Sequence, residues 1–201
     1  YLIDPSNGQS IEVMDIPASA DNRIFWSPDG KKLVYFVEPE FAGGDTLVGG
    51  LYLANLDLGI SLRLYNIASL NPRGISRHRP VWSPDSSQFA IALPTEYDVD
   101  IFVISADGSI SRNVTQHGAF DLWPTWSPDG SRLAFVSDRN ECLTWVPAES
   151  GSCSQLEPTS DGGDLNDLLG REAASTVLPT GGNIFVMDLA TESVRQASDL
   201  W

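Results

Sequence analysis

The sequence predicts an all-β fold built of four-stranded antiparallel blades, about three and a half of them, and two observations predict it. The first is a repeat. "FWSPDGKKLVYFVEP" begins at Phe25, "VWSPDSSQFAIALPT" at Val81 and "TWSPDGSRLAFVSDR" at Thr125. Trp26, Trp82 and Trp126 are 56 and 44 residues apart, close to the roughly 40–50 residues of one four-stranded propeller blade. The second is a hairpin signature: "YLIDPSNGQSIEVM" at Tyr1, "LYLANLDLGISLRLY" at Leu51, "IFVISADGSISRNV" at Ile101 and "IFVMDLATESVRQA" at Ile184. Each copy is an apolar alternation, a short polar turn and a second alternation, the pattern of two paired strands.

Taken in order, residues 1–14 read as strands c and d of a preceding blade. Full blades with strands a to d follow at about residues 22–65, 79–115 and 122–197. In each, Trp closes strand a and Ser-Pro-Asp-Gly turns the chain into strand b, with Ser86 replacing Gly in the second copy. Pro presets φ for such a turn, while Asp and Gly supply a side-chain acceptor and a permissive backbone. Residues 138–182 form a polar insertion between strands b and c of the third blade, rich in Ser, Gly, Asp and Pro. Loops of that size in a compact domain are usually functional or mobile. Helical periodicity is weak and confined to "DLNDLLGREAAS", Asp164 to Ser175.

The 201 residues suit one domain, and 42% apolar with 19% charged residues is ordinary globular composition. No apolar run approaches the roughly 18 residues of a membrane helix, so no membrane span is expected. The formal charge is −15, from 27 acidic against 12 basic residues. Such a surface repels phosphate backbones and anionic lipid, which argues against nucleic acid as a partner. The chain begins at Tyr1 without an initiator Met, so a removed leader or a longer parent chain is expected.

Repetition filters the candidates for chemistry, because an active site needs one nucleophile or base in one place. Ser27, Ser83 and Ser127 recur once per blade, as do Asp29, Asp85 and Asp129. They are read as turn caps. His78 and His117 are the only histidines, and neither lies in a short-spaced His pair or His-Glu motif, so no metal is expected. "DGGDLND" (Asp161, Asp164, Asp167) lacks calcium-loop spacing. No Gly-x-Ser-x-Gly elbow occurs, nor a Gly-rich phosphate loop, so neither catalysis nor a cofactor is expected. "NVT" at Asn113 matches a glycosylation sequon but falls in a strand d, where it reads as repeat grammar. Cys142 and Cys153 lie eleven positions apart in the polar insertion. A disulfide between them is expected, and with it an oxidising compartment, periplasmic or extracellular.

"WSPDG" with the following "LAFVS" and "IFVMD" strands resembles the TolB-like propeller repeats, Pro-Asp relatives of WD repeats. The likeness covers most of the chain except Asn140 to Gly182. It implies a propeller fold and is consistent with periplasmic residence. Such propellers serve as scaffolds, regulatory caps and occasionally enzymes, including polysaccharide lyases with a His-bound metal, so the fold alone does not fix function.

Blade geometry sorts the connections by end. The a–b and c–d turns are uniformly short, as in "SPDG", "SNG" and "SADG". The b–c and d–a connections hold every long segment: Glu38 to Gly50, Ala68 to Arg79, Gln116 to Asp121 and Asp138 to Gly182. Binding surfaces are built from such loops on a rigid scaffold. The candidates on that face are Phe41, Arg77, His78, Arg79, His117, Phe120, Trp123 and Trp145, with aromatic and Arg side chains the usual anchors of interfaces. The expectation is a noncatalytic module that binds a protein partner. The alternatives are a propeller of a metal-dependent lyase or serine peptidase, and a glycan-binding module. "DLW" at Asp199 to Trp201 repeats "DLW" at Asp121 to Trp123, where a new strand a would begin. These residues are therefore expected to need further blades, or another chain, to close a ring. Expressed alone, they are expected to be insoluble or oligomeric.

Overall fold

In the computed structural model, residues 2–3, 5–11, 24–37, 41–42, 45–46, 50–66, 79–95, 99–139 and 182–197 are described. They are all β, with no helix among them beyond single turns. The chain divides into two compact units, Tyr1–Ala68 and Ser69–Trp201.

The first unit opens with a hairpin of β1 (Leu2–Ile3) and β2 (Ser10–Ile11). Its main sheet is built from β3 (Ile24–Trp26), β4 (Lys32–Val37), β7 (Gly50–Asn55) and β8 (Ile60–Asn66), adjacent in that order and antiparallel. The connection from β4 to β7 carries a small ladder that the sequence pattern does not announce, β5 (Phe41–Ala42) with β6 (Asp45–Thr46). Leu33, Tyr35, Val37 and Ala54 form the core of this unit. The Tyr35 ring stacks on Tyr52 at 5.4 Å, and its buried hydroxyl is satisfied by Ser61 Oγ at 2.6 Å.

The second unit holds two four-stranded sheets. One consists of β9 (Val81–Trp82), β10 (Gln88–Pro94), β11 (Val99–Ser105) and β12 (Ser111–Asn113). The other consists of β13 (Asp121–Trp126), β14 (Arg132–Ser137), β15 (Asn183–Asp188) and β16 (Val194–Gln196). Both run in chain order from one edge to the other, as a meander does. The alternation that marks these strands in the sequence has its physical counterpart between the sheets. Ala90, Ala92, Ile101 and Val103 from the first pack in one core with Leu133, Phe135, Phe185 and Met187 from the second. Burying each large side chain stabilises by about 1.5–3 kcal/mol.

The repeated Trp has one register throughout: Trp26 opposes Leu33, Trp82 opposes Phe89, and Trp126 opposes Leu133. Within the second unit Trp126 Nε1 donates to Val81 O at 2.8 Å, so the indole ties one sheet to the next. The turn after each Trp is also identical. Ser27 Oγ donates to Asp29 Oδ1 at 2.6 Å and accepts from Lys32 N at 2.9 Å, while Lys31 N donates to Asp29 Oδ1. Ser83 with Asp85, and Ser127 with Asp129, make the same bonds. Gly30 and Gly130 close their turns at φ +70°, and Ser86 takes their place at φ +62°. These Ser and Asp side chains are spent on the backbone, as their repetition predicts. The c–d turn at Ser105 to Ile110 reuses the device through Asp107.

Candidate functional site

The turns just described lie at one end of the strands. At the other end of the second unit, the d–a connection of one sheet meets the last residues of β14 in the next. A buried polar cluster forms there.

Asp100, at the start of β11, is almost wholly buried. Its carboxylate accepts from Asn113 Nδ2 at 2.6 Å, from Thr115 Oγ1 at 2.9 Å and from His117 N at 3.3 Å. Thr115 Oγ1 in turn accepts from Ile101 N at 2.9 Å. A buried carboxylate is tolerated only when so supplied with donors. The bonds fold the segment after β12 back over the mouth of β11. They also hold the Asn113 amide nitrogen of the "NVT" sequon against Asp100.

Asp121, which opens β13, is fully buried. Its Oδ2 accepts from Arg139 Nη2 at 2.9 Å, an ion pair whose guanidinium side chain is only 12% exposed. Arg139 also donates from Nε to Ser137 Oγ at 3.1 Å and lies 5.1 and 5.0 Å from the ring centres of Phe135 and Phe185. Asp121 Oδ1 makes no hydrogen bond of acceptable geometry, although the Ser137 and Thr115 hydroxyls stand beside the carboxyl. Burial pushes this carboxyl up to about 6, against the opposing pull of Arg139 and the two hydroxyls. Burial, with Arg139 as a second cause, holds the His117 imidazole below its usual range, and Asp100 pulls the other way. Phe120 N donates to Asp138 Oδ1 at 2.8 Å, joining the segment before β13 to the segment after β14.

Chemically this is a set of three carboxylates, one guanidinium and one imidazole, with its hydrogen bonds directed inward. Among the described residues no group of three or more His, Cys, Asp or Glu side chains is placed to hold a metal ion.

The sequence-predicted residues fall as follows. His117 belongs to the cluster and is half-buried, not the surface residue that a loop position suggests. Phe120 is half-buried and packs against the core of the second unit. Trp123 is exposed at 44%, with φ +53°, in a bulge of β13. Arg79 is exposed just before β9. Phe41 lies in β5, with only its backbone described. Arg77, His78, Trp145, Cys142 and Cys153 lie outside the described residues.

Sequence reasoning missed Asp100, Asp121 and Arg139. A signal for the last two was present in the repeat register. Asp121 stands five residues before its Trp and Arg139 thirteen after; the same offsets give Asp21 and Pro39 in the first repeat, and Arg77 and Thr95 in the second. The acid–base pair therefore exists once, and the filter that dismissed the repeating Ser and Asp would have kept it.

A family model described as the TolB beta propeller domain matches residues 25–158. A protein TolB homolog from Chlorobium luteolum is 34% identical over 113 residues, 56% of this chain and 23% of that protein. The chain thus spans under a quarter of the length of the first curated relatives it matches. Among solved structures, a TolB from Agrobacterium tumefaciens superposes with TM-score 0.50 and 20% identity, covering 87% of this chain and 48% of that one. An oligogalacturonate lyase in complex with manganese superposes with TM-score 0.53 and 19% identity, covering 96% and 46%. At such identities these structures speak for the fold alone. With the repeated Trp register, the meander sheets and the matched model agreeing, this chain belongs to the TolB beta propeller domain family.

Proposed function

We propose that this chain is a noncatalytic propeller module that binds a protein partner outside the cytoplasm, through the end of its blades that carries the b–c and d–a connections. The observation that carries the reading is the difference between the two ends in the second unit. Ser83–Asp85, Ser105–Asp107 and Ser127–Asp129 close the short turns with their own side chains. The opposite end holds the Asp100 and Asp121–Arg139 networks, and Trp123 and Arg79 are exposed there. A rigid base under exposed aromatic and Arg side chains is the usual construction of a binding surface. Similarity to proteins named TolB and the expected Cys142–Cys153 disulfide both favour an oxidising location.

The test is site-specific photocrosslinking in the producing cell. Adducts are expected from positions 79 and 123 and not from positions 107 and 129. With the partner in hand, substitutions at Arg77 and Arg79 change binding more than substitutions in Ser105 to Gly108. Equal crosslinking or equal loss at both ends would overturn the assignment. Bound metal at one equivalent, with turnover lost on changing His78 or His117, would replace it with an enzyme.

A further inference from the structure

Trp123 combines three features. It is a bulky residue held at φ +53°, a left-handed conformation that strains residues other than Gly, Asn and Asp. It is the residue around which β13 bulges, since the register shifts between Leu122 and Thr125. And it remains 44% exposed. Among the described residues, the other non-Gly positions with positive φ are Ser86, Gln116 and Glu192, all polar and in turns or connections. The bulge is fixed on both sides: Pro124 is buried after it, and Asp121 is locked to Arg139 two residues before it. Strain that surrounding structure over-determines, at an exposed aromatic, marks a contact residue.

The charge around it selects the ligand. Two residues before Trp123 stands the buried carboxylate of Asp121, and Asp100 and Asp138 are buried in the same unit. The guanidinium among them is that of Arg139. That guanidinium is already engaged by Asp121 and by the Phe135 and Phe185 rings. The whole chain carries −15. An indole face is the best aromatic platform for a cation, and a negative surround strengthens it.

We infer that Trp123 is a preset cation-binding platform, which the β13 bulge presents for stacking by an Arg or Lys side chain of a basic segment on the partner protein. This rests on the protein-binding reading above and names the chemistry of the partner at that same end. Asp121 and Arg139 are positioning residues for it.

The test uses the full-length protein and a fluorescein-labelled hexaarginine peptide, with hexacitrulline as the neutral isostere. Wild type is expected to bind hexaarginine and not hexacitrulline. Trp123→Asn, which keeps the charge and suits a left-handed backbone, is expected to lose at least tenfold in affinity with no fall in Tm. Trp123→Phe retains binding within about threefold. Unchanged hexaarginine binding by Trp123→Asn would show that diffuse charge alone attracts the peptide and would overturn the inference. Equal binding of hexacitrulline, or a clear drop in Tm for Trp123→Asn, would overturn it as well. Crosslinking at position 79 without this peptide selectivity would leave the broader reading standing and remove only the platform. Peptide selectivity without crosslinking would do the reverse.

Discussion

Asp121 concentrates the electrostatic interest of the molecule in one carboxyl. Its folded value of about 6 lies above the 3.8 of an unperturbed Asp, so the folded state takes up a proton that the unfolded chain releases between those values. Ionised Asp121 therefore costs stability above pH 6, and acidification towards pH 4 relieves that cost. His117 acts oppositely, since its depressed folded value means stability is lost as pH falls below 6.5. The turn carboxylates Asp29, Asp85 and Asp129 are also held low, chiefly by their Ser hydroxyls, and give up their contribution only below about 3.8. Comparing wild type with Asp121→Asn removes the shared contributions. The variant mimics the protonated carboxyl, so it is expected to gain on wild type at pH 7, where wild type carries the cost of ionised Asp121. At pH 4.5 that gain should vanish, as folded wild type takes up its proton. Urea unfolding at both values checks this, and a difference between the two proteins that does not change with pH would contradict the burial-driven shift. A second residue-level expectation concerns Asn113: expressed in a glycosylating host, the protein should carry no glycan there by intact mass, because its Nδ2 is bonded to Asp100.

The Ser-Pro-Asp-Gly turn shows how much one element contributes. Ser83 is buried at 1% exposure, and its hydroxyl bridges Asp85 and the Gln88 backbone. Ser83→Ala removes the donor and acceptor together and leaves Gln88 N without its partner, so a loss of about 1–3 kcal/mol is expected by thermal or urea unfolding. Binding at the opposite end should be unaffected. A neutral Ser83→Ala would mean that the bonds only decorate a turn set by Pro84. Turns of this kind were legible in the sequence because their bonding is local, spanning two to five residues, and because the motif is written three times. The β5–β6 ladder was not legible: two strands of two residues leave no periodicity to read. Nor was the φ of Trp123, since Pro124 signals that a strand is interrupted there but not which residue takes the strain. The Asp100 network was hidden for a similar reason. Its partners Asn113, Thr115 and His117 come from another strand and its exit, 13 to 17 residues away.

On the scale of the whole molecule, the two sheets of the Ser69–Trp201 unit are bound by a shared interior. Side chains of β10 and β11 meet those of β14 and β15 in one cluster, and Trp126, Leu122 and Phe120 pack against it from β13 and its approach. Trp126 adds a directed bond to Val81 O across the junction. Neither sheet can lose its inner face without exposing the other's, so the two should open together and not as separate units. Native-state hydrogen exchange tests this through Ile91 in β10 and Met187 in β15, both buried at the centre of their sheets. Their amides are expected to exchange with the same opening free energy. Trp126→Phe keeps most of the ring and forfeits the Nε1 bond, leaving Val81 O without that donor. It should lower both opening energies by an equal amount, about 1 kcal/mol. Sequential opening would show instead as a fall confined to Met187, with Ile91 unchanged. That outcome would make the Trp a feature of its own sheet alone and would deny the repeated indole its part in joining one blade to the next.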